Sequence, residues 1–84
     1  MVKEDYIDKN SPLPYYVQLK NILIEKINAG KFHDGQISSE NKLSKKYNIT
    51  VTTVRKTLAE LKNEGRIYKV KGLGTFIDSP KMEL

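Results

Sequence analysis

Hydroxyl and cationic side chains recur on one side of the stretch Ile49 to Gly65. If this stretch is helical, Thr52, Arg55 and Lys56 share a face with the small residue Ala59. Such side chains donate hydrogen bonds to phosphate oxygens and base edges, and a small residue lets a helix approach another surface closely. We interpret this face as that of a DNA-recognition helix, although an ordinary solvated helix face has the same pattern.

Catalytic chemistry finds no support in the composition. The chain has one His, no Cys and no clustered carboxylates, so it offers neither a general base with a nucleophile nor a thiolate metal site. The lone His33 has no second imidazole at ligand spacing, and we assign it no role. Gly72 and Gly74 do not form a nucleotide-binding loop, because the third glycine is missing and the loop joins strand to strand. We expect no enzymatic activity and no cofactor.

Both ends of the candidate recognition helix are marked in the sequence. Thr50 can cap the free amide groups of the first turn, and Gly65 can adopt the left-handed conformation that ends a helix. An apolar stripe at positions i, i+4 and i+7 consists of Val54, Leu58 and Leu61. The sequence therefore predicts a third helix of about four turns with its apolar side toward a core.

Two further helices precede it. Apolar residues at three- and four-residue steps predict a first helix over Pro14 to Ala29, after which Gly30 is a natural stop. Ser39 is a good cap for a second helix, Glu40 complements its positive end, and Asn48 allows a tight turn. The result is a helix-turn-helix, a shape that many proteins share without touching DNA.

After Gly65 the period changes to two. Tyr68 and Val70 alternate with Lys69 and Lys71, a glycine-containing turn follows, and residues 75–77 return as a second strand. Residues 36–37 form a short extended piece earlier in the chain. The sequence thus predicts a hairpin with a basic edge.

The charge surplus lies in one half of the chain. The 84 residues make one small domain with a net charge of +5. Residues 1–35 are balanced, whereas residues 36–77 hold nine cations and three acids. This distribution favours a polyanionic partner. No apolar run is long enough for a membrane span or a signal peptide, so we expect a cytoplasmic protein that does not enter a membrane.

Several motifs together resemble a known family. They are the run LPYYVQL at residues 13–19, Ser39-Glu40, Thr53-Val54-Arg55 with Leu58, residues 64–67 and residues 72–77. On these motifs the chain resembles the DNA-binding domain of GntR-type bacterial transcriptional regulators. The resemblance implies a mainly α fold with a small β-hairpin, a winged helix-turn-helix of three helices plus a two-stranded wing. We expect it to span residues 13–78, after a flexible arm over residues 1–12.

The resemblance also implies partners and contact residues. It implies double-stranded DNA with a palindromic operator, read by a helix at residues 50–64 in the major groove and a wing at residues 66–77 near the minor groove. The expected DNA-binding residues are Ser39, Glu40, Asn41, Thr50, Val51, Thr52, Thr53, Arg55, Lys56, Lys71, Gly72 and Leu73.

The ends of the chain look most like the HutC type, with the YtrA type as the alternative. Residues 79–84 would then begin a linker to an effector-binding domain that these 84 residues do not contain. We therefore expect a fragment of a longer repressor that forms a homodimer, with a small-molecule effector bound to the absent domain.

Two departures from the family pattern concern specificity. Asn41 and Val51 stand where family members often have base-reading arginines. An amide pairs with the edge of adenine and a valine methyl contacts the methyl of thymine, so we expect A·T pairs where relatives favour G·C. In the alternative interpretation Asn41 meets phosphate and Val51 packs against the second helix.

Two other functions compete with DNA binding. One is a winged helix that serves as a protein-interaction module, against which the localised charge surplus argues. The other is RNA binding, which we disfavour because the hairpin shows no aromatic stacking surface beyond Tyr68.

Overall fold

The computed structural model describes residues 5–32 and 34–78. Its elements in chain order are α1 (Tyr15–Asn28), β1 (Gln36–Ile37), α2 (Glu40–Tyr47), α3 (Val51–Asn63), β2 (Ile67–Val70) and β3 (Gly74–Ile77). The three predicted helices and the hairpin are confirmed. His33, residues 1–4 of the predicted arm and the predicted linker at 79–84 lie outside the described residues.

Side-chain caps begin the second and third helices. The Ser39 hydroxyl accepts a hydrogen bond from the Lys42 amide at 3.2 Å, and the Thr50 hydroxyl accepts one from the Thr53 amide at 3.1 Å. Each cap satisfies an amide that has no partner within its helix. Both predicted caps are confirmed.

Left-handed residues end the helices at the predicted positions. Gly65 follows α3 with φ +76°, and the next amide, of Arg66, donates to the Leu61 carbonyl at 2.9 Å. This is the hydrogen bond of a Schellman motif. Asn48 adopts φ +55° after α2, and its short polar side chain makes that conformation less costly than it would be for most residues. The tight turn between α2 and α3 follows from it.

The wing belongs to a three-stranded antiparallel sheet in the order β1-β3-β2. In addition to the predicted hairpin, the extended piece at residues 36–37 pairs with β3, and Ile37 lies opposite Thr75. In β2, Ile67 is buried in the core. Because side chains alternate across a strand, Tyr68 faces the other way, where it stacks on Phe76 with ring centroids 5.8 Å apart. The expectation of no aromatic surface beyond Tyr68 is therefore wrong.

One hydrophobic core lies between the helices and the sheet. Its most completely buried side chains are Leu19 and Leu23 of α1 with Val54, Thr57 and Leu61 of α3. The polar member is Thr57, whose hydroxyl lies 3.1 Å from the carbonyl oxygens of both Tyr16 and Thr53. It can thus donate to α1, and no buried polar side-chain atom of the described residues lacks a partner.

Residues 5–12 do not form the loose arm that their polar sequence predicts. Ile7 is only 5% exposed and belongs to the core. The Asp5 carboxylate accepts a hydrogen bond from the Tyr47 hydroxyl and pairs with the ammonium groups of Lys26 at 2.8 Å and Lys46 at 3.0 Å. One apolar residue and one carboxylate with three donors therefore hold this segment against α1 and α2.

A membrane span is not found in the fold. None of the helices among residues 5–32 and 34–78 combines the length and the apolarity that crossing a bilayer requires.

The Asp5 cluster predicts acid sensitivity. Partial burial alone would raise the pKa of Asp5, but hydrogen bonds from Lys26, Tyr47 and Lys46 outweigh it and lower the pKa from 3.8 to about 2. A carboxyl with a lowered pKa in the folded state stabilises the fold above about pH 4 and loses that contribution as the pH falls toward 2. We expect Asp5→Asn to lower the stability at pH 7 and to flatten its decline between pH 4 and 2, measured by urea denaturation across this range.

The matched control is Asp8→Asn in the same segment, where the carboxylate accepts a local hydrogen bond from the Asn10 amide. It should leave most of the decline in place. If Asp5→Asn and the wild type showed the same pH dependence, the cluster would have no role in stability.

Candidate nucleic-acid interface

The outer face of α3 is exposed to solvent. Its inner side packs against α1 and α2, while Thr52, Arg55, Lys56 and Ala59 are exposed on the other side. This is the face that the sequence predicted. The turn at Asn48 brings the first turn of α2 beside it.

Ion pairs neutralise the acids of the basic half. Lys20 of α1 bonds Glu64 and lies 3.3 Å from Glu60, so both carboxylates at the end of α3 are engaged on the α1 side. The hydrogen bond between Lys20 and Glu64 raises the pKa of the Lys20 ammonium group and lowers the pKa of the Glu64 carboxyl group. The third acid of this half, Glu40, pairs with Arg55.

Most lysines of this half remain available. Among the residues that the structure describes, the lysines of this half with no ion pair are Lys42, Lys45, Lys56, Lys62, Lys69 and Lys71. The acids are paired and these cations are not, so the surplus charge is presented to solvent.

Arg55 is oriented by a neighbour on α2. Its Nε donates to Glu40 Oε1 at 2.9 Å, while the Arg55 side chain is 66% exposed and that of Glu40 29%. The pair leaves the two terminal guanidinium nitrogens without a partner among the described residues. Such a fork matches two acceptors on a base edge or a phosphate. The sequence named both residues as contacts, and the structure shows that they bond each other.

The remaining predicted contact residues of α2 and α3 differ in exposure and in whether their side chains already have hydrogen-bond partners. Asn41 is exposed on the first turn of α2, and Val51 is half-buried at the start of α3. Ser39 and Thr50 already use their hydroxyl oxygens as caps, and the Thr50 hydroxyl also bonds that of Thr53 at 2.9 Å. We therefore expect Asn41 to be freer to meet a ligand than the capping residues.

The wing tip projects from the sheet. Lys71, Gly72 and Leu73 are all exposed, and Leu73 is 66% exposed despite its apolar side chain. Gly72 adopts φ +83°, a conformation that a side chain would strain. The tip is thus a small, cationic and sterically open turn, as the sequence predicts.

A groove between α3 and the sheet adds residues that the sequence analysis missed. It has a volume of about 190 Å³, and two of the lysines without ion pairs, Lys62 and Lys69, line it. The signal for Lys62 was present, because it continues the exposed face three residues after Ala59. Lys69 could be assigned to this groove only once the structure showed which side of β2 faces α3.

The aromatic pair at the start of α1 contacts two lysines, Lys56 of α3 and Lys9 of the N-terminal segment. Lys56 lies over the Tyr16 ring at 4.3 Å from its centroid, and Lys9 lies over the Tyr15 ring at 4.8 Å. Lys9 also donates to the Asn48 carbonyl at 2.5 Å, within the turn between α2 and α3. These contacts place two cations beside the helix-turn-helix.

A comparison with known families identifies this arrangement. The model described as "Bacterial regulatory proteins, gntR family" matches residues 15–77, which contain all three helices and the wing. The chain belongs to the gntR family.

Two relatives of this chain are named as repressors. The HTH-type transcriptional repressor NagR of Bacillus subtilis (strain 168) is 41% identical over 78 residues, covering 92% of this chain and 32% of that protein. The Histidine utilization repressor of Klebsiella aerogenes is 35% identical over 75 residues, covering 87% and 31%. This gntR-family chain therefore spans about a third of the length of these relatives.

A solved structure supports the fold. AraR(DBD) in complex with operator ORX1 superposes with a TM-score of 0.77 at 30% identity, covering 87% of this chain and 94% of that one. The winged helix-turn-helix that the sequence predicted is confirmed by this match.

Proposed function

We propose that this gntR-family chain binds double-stranded DNA sequence-specifically, as the DNA-binding domain of a transcriptional repressor. The observation that carries the proposal is the exposed face of α3, where the free fork of Arg55 stands among lysines that have no ion pairs. The AraR(DBD) structure with an operator and the relatives named as repressors support it.

In the proposed complex α3 enters the major groove. The exposed residues Thr52, Arg55 and Lys56 would meet base edges and nearby phosphates, with Thr53, Asn41 and Val51 at the helix starts. The wing tip at residues 71–73 would approach the neighbouring minor groove. Lysines of the groove between α3 and the sheet would then follow the phosphate backbone.

We propose that the whole protein is a cytoplasmic, dimeric repressor of the HutC type. A homodimer would read a palindromic operator, since two-fold symmetry in the protein matches two-fold symmetry in the site. A small-molecule effector would bind a domain beyond this chain. The similarity to the Histidine utilization repressor supports the HutC assignment.

Single-stranded RNA is the competing ligand that one observation favours. The stack of Tyr68 on Phe76 lies on the side of the sheet opposite the core, and aromatic pairs on a sheet can stack unpaired bases. A protein-interaction module gains no comparable support, because the free lysines favour a polyanion.

Salt dependence tests the proposal directly. If about four to six phosphates are neutralised, the slope of log K against log salt for duplex DNA should be about −4 to −5. Anisotropy titrations of one labelled duplex between about 50 and 200 mM salt measure it. Single-stranded RNA of the same length should bind more weakly. A slope near zero would reject the DNA interpretation, and tighter binding to RNA would favour the competing ligand.

Two alanine variants separate base reading from phosphate contact. Lys71→Ala should weaken binding to all duplexes similarly, because a wing lysine meets phosphate. Arg55→Ala should cost more on the operator, about 1–3 kcal/mol, if its fork reaches a base edge. Binding to operator and to a scrambled duplex measures both effects. Lys31→Ala, in the charge-balanced half, is the control, and negligible losses from both test variants would remove α3 and the wing from the interface.

Base selection tests the two departures from the family pattern. The wild type should select A·T pairs where Asn41 and Val51 meet the site, and the double variant Asn41→Arg with Val51→Arg should select G·C there, because arginine pairs with guanine through two donors. Selection from random duplexes measures both preferences. If the wild type itself selects G·C there, the inference from the side-chain chemistry of Asn41 and Val51 is wrong.

A further inference from the structure

The wing tip is held by few contacts. Within residues 5–32 and 34–78, the hydrogen bonds of residues 71–73 are two: the Leu73 amide donates to the Val70 carbonyl at 3.0 Å, and the Leu73 carbonyl accepts from Gln36 Nε2 at 2.9 Å. The first bond closes the turn locally. The second comes from β1, outside the hairpin, and so sets the orientation of the tip relative to the rest of the fold.

Gln36 reaches the tip from a fixed backbone. Gln36 lies opposite Phe76 in the sheet, and its backbone amide donates a hydrogen bond to the Asp34 carboxylate at 3.1 Å. The neighbouring Gly35 carbonyl accepts a hydrogen bond from the Ile77 amide at 2.7 Å. The side-chain amide of Gln36 is therefore presented from a strand end that hydrogen bonds hold on both sides.

Gly74 provides the space for this contact. A Cβ at position 74 would lie 2.5 Å from Gln36 Nε2, and Gly74 has φ +125°. The amide of Gln36 thus rests against a residue that has no side chain. Gln36 and Gly74 are complementary parts of one contact.

We propose that Gln36 is a positioning residue for the wing, which fixes the Leu73 carbonyl and thereby the direction in which Lys71 and Gly72 face DNA. This inference rests on the proposed function. A turn that is ordered before binding loses less conformational entropy on binding, so the contact raises affinity without touching DNA. Because β1 leads through Ser38 to Ser39, the cap of α2, Gln36 also ties the wing to the helix-turn-helix.

The test is Gln36→Met, which keeps the length of the side chain and removes its donor. Operator affinity should fall about 3- to 10-fold, the scale of one hydrogen bond. The melting temperature should stay close to that of the wild type, because the Gln36 side chain is exposed. The control is Asn28→Met, which changes an exposed amide at the end of α1 and should leave affinity unaltered.

Two further readouts distinguish positioning from a direct DNA contact. Backbone ¹⁵N relaxation of the free Gln36→Met protein should show increased motion at residues 71–74, before any DNA is added. In a Lys71→Ala background the affinity loss from Gln36→Met should shrink, because residues that act through one another are not additive.

Wild-type affinity in Gln36→Met, unchanged motion of the tip, or losses that add fully to those of Lys71→Ala would each overturn the inference while leaving the proposed function intact. A wild-type chain that binds no duplex would overturn the proposed function and the inference that rests on it.

Discussion

The packing of α3 against α1 is the contact on which the rest of the structure depends. Leu19 and Leu23 on one helix and Val54 and Leu61 on the other are almost completely buried, and each such side chain contributes about 1.5–3 kcal/mol. A domain of this size has one core, so no second cluster could replace this one. The hydroxyl of Thr57 adds a directional bond to α1, which apolar packing cannot supply. Together these contacts fix the helix whose outer face carries the exposed donors.

The same packing organises the charges. Glu60 and Glu64, at the end of α3, pair with Lys20 of α1, and Glu40 of α2 pairs with Arg55 on the exposed face of α3. Ion pairs at the surface stabilise a fold by little, about 0–1 kcal/mol each. Their main effect here is on the distribution of charge at the surface. They pair the acids and orient Arg55, and they leave most lysines of residues 36–77 without an ion pair to another described residue. The net charge of +5 is therefore concentrated on the surface formed by residues 36–77.

Local signals allowed most of the helical fold to be predicted from the sequence. The caps Ser39 and Thr50 and the stop Gly65 act within a few residues of their own helices, so their types and spacing suffice. The pairing of β1 with β3 was missed because two residues carry no measurable period. The packing of residues 5–12 was missed because a single buried residue, Ile7, in a mostly polar segment gives no periodic pattern.

The features of the candidate site also fall into those that local sequence predicts and those that depend on contacts between distant residues. The exposed face of α3 follows from helical periodicity, and the cationic wing tip follows from its turn residues. The bond between Glu40 and Arg55, the stack of Tyr68 on Phe76 and the reach of Gln36 to the wing join elements that are distant in sequence. Side-chain types alone do not determine such contacts, because they depend on how the elements are packed.

The N-terminal segment has a consequence for the order in which the chain can fold. The Asp5 carboxylate bonds Tyr47, 42 residues later, and Lys9 bonds the Asn48 carbonyl, 39 residues later. During synthesis residues 5–9 are made before these partners, which follow only when more than half of the 84 residues have been added. These bonds therefore cannot form until α2 and the turn after it have been synthesised, so a segment made earlier must wait for them before it can restrain the turn between α2 and α3.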